Sequence, residues 1–258
     1  MQLAARMKHI ALFLVSSTLV FAGACSDDDG GSGDITREEY DDLARSVGSS
    51  TASGGGDAGA MADVVVIAGG DLPFGFTIDV DGHVSGDVGG LSYDFSLTCR
   101  DLTDLILPAC DATTDRADVE LAWSGQLDLP NFSSSVTREG SWSVIGLQTD
   151  VATFNGDGSF AYDATITAPE TQSTFDYALD YAASYEDVLI ETDSLAAVGG
   201  TIHYDIAAEK LVDSETTRSF SVSADVTIHA DGTATLVLDG SYEYTLDLAT
   251  GAVARAST

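Results

Sequence analysis

The side chains that could do acid–base or ligand chemistry are few outside the carboxylates. Beyond the first two dozen residues the only histidines are His83, His203 and His229. His203 and Asp205 share one parity at two-residue spacing, and His83 and His229 each occupy the position flanking a loop that contains Asp-Gly. An imidazole beside a carboxylate is the pairing used for proton transfer or metal ligation. No HExxH, GxSxG or second ligand cluster accompanies these residues, so they read as surface histidines on solvated strands. The chain carries 42 Asp and Glu, too many for a glycosidase-type acid pair to stand out. "DVDG" and "NGDG" lack the alternating Asp spacing and distal Glu of a calcium loop, which leaves them as turns. No metal or cofactor is expected, and the chain leans away from being an enzyme.

The elements that must position these residues repeat with period two. Leu91, Tyr93, Phe95, Leu97 and Cys99 alternate with Ser, Asp and Thr, and Val119, Leu121, Trp123, Leu127 and Leu129 alternate with Asp118, Glu120, Gln126 and Asp128. Further strands carry Phe160 to Ile166, Phe175 to Tyr181, Ile202 to Ile206 and Phe220 to Ile228. One dry face and one polar face per strand indicate antiparallel sheet, because doubly buried parallel strands read as continuous apolar runs. The expected fold is all-β: an antiparallel meander of about 10–12 strands forming a curved sheet, an open barrel or a sandwich, after one short N-terminal helix.

Turn chemistry sets the register. A three-residue loop Ala230–Gly232 places Ile228 beside Ala234 and Val226 beside Leu236, matching apolar with apolar, whereas a two-residue loop would not. The same loop at Val80–Gly82 pairs Ile78 with Val84, and at Gly156–Gly158 it pairs Phe154 with Phe160. At Leu238–Gly240 a hairpin and a bulge in one long strand both fit. Thr36 and Glu39 stand at capping-box spacing and predict a helix ending near Gly48, followed by a Gly/Ser-rich break over 49–59. "AMADVVVIAGG" fits strand or helix. Tyr93, Tyr162, Tyr177, Tyr181, Tyr204, Tyr242 and Tyr244 fall on the dry parity, either rimming an ordinary core or giving polar points to a cavity for an amphipathic ligand.

The start of the chain has a different character. Arg6 and Lys8 precede the apolar run Ile10–Ala24, which at 1.5 Å per residue reaches about 22 Å, short of a roughly 30 Å hydrocarbon core. This is the pattern of a secretory signal ending at the small residues Ala22, Gly23 and Ala24. "AGAC" resembles the lipobox of bacterial lipoproteins, with Ala22 where that family favours Leu. The resemblance covers residues 1–25. It implies cleavage before Cys25, a diacylglycerol on its sulfur and usually a third acyl chain on its amine. Two or three chains hold a protein on a membrane where one is marginal.

That reading divides the chain into a signal peptide (1–24), an acylated Cys25 with a Gly/Ser/Asp tether and short helix (25–59), and a β domain (60–258). With Cys25 acylated, Cys99 and Cys110 remain as a pair, simplest as a disulfide in an oxidising compartment, with two buried thiols as the competing reading. The mature chain would carry eight cations against 42 acids. Such a charge excludes nucleic acid and opposes a polybasic grip on lipid. Hydrophobic residues make up 44%, enough for a core rather than disorder. Ser26, not Asp, follows Cys25, which in this family accords with an outer-membrane destination. The expected protein is a lipid-anchored envelope protein that meets the membrane through Cys25. Its β domain is a non-catalytic binding or structural module, meeting an envelope protein or acting as a carrier or sensor of a hydrophobic ligand. A hydrolase with an acidic site is the remaining alternative.

Overall fold

A computed structural model describes residues 34–79, 82–88, 90–168, 171 and 173–256. Cys25, the leader and the tether through Gly33 lie outside the described residues, as do Val80 and Asp81 of one expected turn. Among the described residues two helices, α1 (Arg37–Thr51) and α2 (Asp57–Ala68), precede twelve strands. These are β1 (Phe76–Ile78), β2 (Val84–Val88), β3 (Leu91–Arg100), β4 (Arg116–Leu129), β5 (Phe132–Ile145), β6 (Val151–Thr167), β7 (Thr174–Glu191), β8 (Ala197–Val212), β9 (Glu215–Ile228), β10 (Thr233–Leu238), β11 (Tyr242–Asp247) and β12 (Val253–Arg255). They form one antiparallel sheet in sequence order, an all-β meander with no β1–β12 pairing, so the sheet stays open and is not a sandwich. Its edge strands have three residues each, too short to template another chain.

The dry face is concave. Trp123 on β4 and Phe160 on β6 stand two strands apart, nearly 10 Å on a flat sheet at about 4.8 Å per strand. Their ring centroids are 6.3 Å apart. Trp142 on β5 and Tyr185 on β7 converge likewise to 5.6 Å. The two helices occupy this face and share one core with the strands.

α1 has the predicted capping box: Thr36 Oγ1 accepts from Glu39 N–H at 3.2 Å, and Glu39 Oε2 accepts from Thr36 N–H at 2.7 Å. It runs through Gly48 to Thr51 instead of stopping there. A Cβ on Gly48 would sit 2.5 Å from Gly251 O and 2.6 Å from Val253, so this glycine permits close approach to the β11–β12 turn and does not end the helix. The expected break over 49–59 shrinks to residues 52–56, and the expected domain boundary at 59/60 falls inside α2. The ambiguous apolar segment is that helix. A strand there would need a neighbour to satisfy its backbone, and the meander supplies none; a helix satisfies its own.

The registers Ile78↔Val84, Ile228↔Ala234 and Val226↔Leu236 are those expected. Leu238–Gly240 lies at a hairpin, with Leu238 opposite Tyr242. The expected hairpin at Gly156–Gly158 is absent: β6 runs straight through, and Phe154 and Phe160 belong to one strand. Gly156 marks a bulge against β7 with φ +147°, and a Cβ there would lie 2.1 Å from Ser141 O. Cys99, at the end of β3, is disulfide-bonded to Cys110 with Cα atoms 5.3 Å apart. The bridge pins the β3–β4 connection, on which Gly70 rests just beyond α2.

Candidate functional site

One row of side chains crosses the concave face through five strands: Tyr93, Trp123, Arg138, Phe160 and Tyr181 are successive register partners. Arg138 is the charged member. Its guanidinium carbon lies 5.6 Å from the ring centroids of both Trp123 and Phe160, and the residue is 4% exposed. Beneath α2 it meets Asp57, the first residue of that helix and wholly buried, at 3.0 Å from Nη2 to Oδ1. Tyr185 OH donates to Oδ1 at 2.8 Å and Tyr204 OH to Oδ2 at 2.7 Å. Thr51 Oγ1 lies 3.0 Å from Tyr204 OH, and Arg138 Nη2 also donates to Ser50 O at 3.2 Å. The carboxylate also faces the positive end of the α2 dipole.

Burial is the largest effect on Arg138 and opposes its charge, but the Asp57 carboxylate together with Tyr185, Tyr204 and Tyr181 outweighs it, so the guanidinium is held more firmly protonated than usual. Burial first, and then the Asp57 charge, push the phenols of Tyr185 and Tyr204 well above their ordinary value. Both carboxylate oxygens are engaged and both phenols stay protonated. The network clamps α2 and the end of α1 to the sheet.

α1 is fastened separately. Arg218 Nε and Nη2 each donate to Glu39 at 2.9 Å, and Arg255 and Tyr244 OH both reach Asp41. Tyr40 donates to Asp239 at 2.7 Å and stacks on Tyr242 with centroids 3.9 Å apart.

The three histidines do not converge. His83 lies 3.6 Å from Asp94 across β2–β3, and His229 Nε2 is 2.9 Å from Thr235 Oγ1. On the outer face, His203 Nδ1 is 2.7 Å from Asp225, while Nε2 stands 3.5 Å from Asp205. The hydrogen bond to Asp225 raises the His203 pKa against a smaller opposing effect of burial. Ser184 is the register partner of His203 on β7, giving a row Ser184–His203–Asp225 along a depression of about 380 Å³ that Glu186 also lines. No hydrogen bond joins Ser184 to His203. The backbone N–H groups of this central ladder are already used in pairing, so none is left to stabilise an oxyanion. Among the described residues no group of three or more His, Cys, Asp or Glu could hold a metal ion.

All seven sequence-marked tyrosines lie on the dry parity, with Tyr181, Tyr204 and Tyr244 buried. Asp57, Arg138 and Tyr185 escaped the sequence reading. Their signal was an arginine at core parity, between Val136 and Gly140 and ahead of Trp142 and Val144, which demands a buried acid. The far ends of β4–β8 run past the helices and leave a second row partly uncovered: Leu129, Phe132, Ile166, Phe175 and Val212. Leu129 is 55% exposed and Ile166 39%.

Comparison with protein-family models, curated proteins and solved structures found no match to this chain.

Proposed function

We propose that the chain is an exported bacterial lipoprotein, held on the outer membrane through acylated Cys25, whose β domain binds or scaffolds and does no chemistry. The observation that supports the non-catalytic reading is the saturation of Asp57: this fully buried carboxylate has both oxygens engaged in holding helix to sheet. Anchoring rests on the "AGAC" signature and on Ser26 following the cysteine. Asp34 accepts from Arg218 through its backbone carbonyl at 3.0 Å, and the residues between it and Cys25 extend to about 30 Å at most. The domain would then stand close to its membrane.

Fractionation of the expressing bacterium tests the anchor. The full chain is expected in the outer-membrane fraction, released only by detergent, and Cys25→Ser in the soluble periplasm. Full chain recovered in the periplasm without detergent would overturn the reading.

A carrier of fatty acids is the second reading, favoured by the uncovered apolar row. Beside it stands Lys210, the only lysine after the leader, with Nζ 5.7 Å from the Tyr177 ring centroid. That cation would meet a carboxylate while the acyl chain lies along Phe132, Ile166 and Phe175. Native mass spectrometry separates the two: co-purified mass lost on denaturation and absent in Lys210→Glu supports the carrier, and a bare chain supports the scaffold.

A further inference from the structure

Nearly every acid that leaves solvent in this domain has a partner. Asp57 has Arg138 and two phenols, Glu39 has Arg218, and Asp41 has Arg255 and Tyr244. Asp63 differs. It stands two turns along α2 from Gly56, half-buried, and among the described residues it has neither a hydrogen bond nor an ion pair. Burial alone pushes its carboxyl up to about 6. Proximity to the sheet is reported by Tyr93, whose phenol is raised first by burial and then by the Asp63 charge.

The carboxylate lines a cleft of about 270 Å³ between α2 and the concave face. Gly55, Gly56 and Gly59 line one side, and Tyr93, Trp123 and Leu195 supply aromatic and aliphatic wall. Arg138 lies against Trp123 but is already neutralised by Asp57, so it does not compensate Asp63. The volume falls below the range that holds drug-sized ligands, so it suits a head group. A neutral guest would strip water from the carboxylate and return at most one hydrogen bond; a cation would restore the charge stabilisation that burial removed. A lone carboxylate gives too few donors for a metal ion. An alkylated ammonium needs one charge and an apolar wall, and aromatic rings add attraction of their own. The excess of acids over the whole chain draws cations toward it.

We infer that this cleft is a binding site for a small organic ammonium group, its charge met by Asp63 and its alkyl portion packed against Tyr93 and Trp123. The inference stands apart from the membrane anchor and from the fatty-acid row.

The test titrates the full-length chain, in a neutral detergent, with n-butylammonium chloride. Sodium chloride is withdrawn in step to hold ionic strength, and tryptophan emission is followed, with Trp123 lining the cleft and Trp142 outside that lining. A saturable change is expected for n-butylammonium, and butan-1-ol, of the same shape without charge, should bind at least tenfold more weakly. Asp63→Asn should weaken n-butylammonium by at least tenfold while keeping the unfolding midpoint at or above that of the parent. No saturable change, equal binding of the alcohol, or undiminished binding in Asp63→Asn would overturn the site; the last outcome would assign the signal to the general negative field. The alcohol comparison needs no variant.

Discussion

Arg138 Nη2 and Asp57 Oδ1 stand 3.0 Å apart with both side chains buried, one on the middle of β5 and the other on the first residue of α2. Removing either partner leaves the other charged and desolvated. Arg138→Met or Asp57→Leu alone is expected to cost about 3–5 kcal/mol of stability, and the double variant much less than the sum. Urea unfolding of the four proteins closes the cycle; additive losses would show that the pair does not couple helix to sheet.

Asp63 sets a pH dependence of opposite sign to that of a paired acid. Its folded pKa of about 6 lies above the ordinary 3.8, so the folded state holds more protons between those values. Its contribution therefore falls as pH rises through that window and levels off above about 6. Asp63→Asn should be more stable than the parent at pH 7, by at most about 3 kcal/mol, and equal to it near pH 3. Denaturant midpoints at the two pH values decide this. A parent that is the more stable protein at pH 7 would show that the carboxylate already has a partner.

Gly156 has a φ of +147° and no room for a side chain, since its Cβ would meet Ser141 O at 2.1 Å. Gly156→Ala is expected to destabilise by about 2 kcal/mol or more, beyond the ordinary glycine-to-alanine effect, through loss of the β6–β7 bulge. Gly82→Ala should cost less: its φ is +85°, but its Cβ would project into open space. Thermal melts of the two variants test the ranking.

Alternation made the meander legible, because a half-buried antiparallel strand shows its face in every second residue. Val226, Ile228, Ala234 and Leu236 even disclose their pairing. Glycine misled where it serves two ends: Gly156–Gly158 has turn chemistry, yet Gly156 forms a bulge inside a 17-residue strand. Gly48 looks like a helix stop and is a helix contact. The helix at Val64–Ile67 was hidden because a run of β-branched residues buried on most sides has no distinguishing period. The clamp was harder still. Asp57 and Arg138 are 81 positions apart and become a pair only once α2 is laid across β5, which no local pattern announces.

The account rests most heavily on Cys25, and the mass of the N-terminal peptide from the full chain, extracted from bacterial membranes, tests it most directly. The predicted peptide begins at Cys25 and carries two or three acyl chains, while the rest of the chain is two hydrogens light from the Cys99–Cys110 bridge. A chain that begins at any other residue, or a Cys25 with a free thiol, would contradict it.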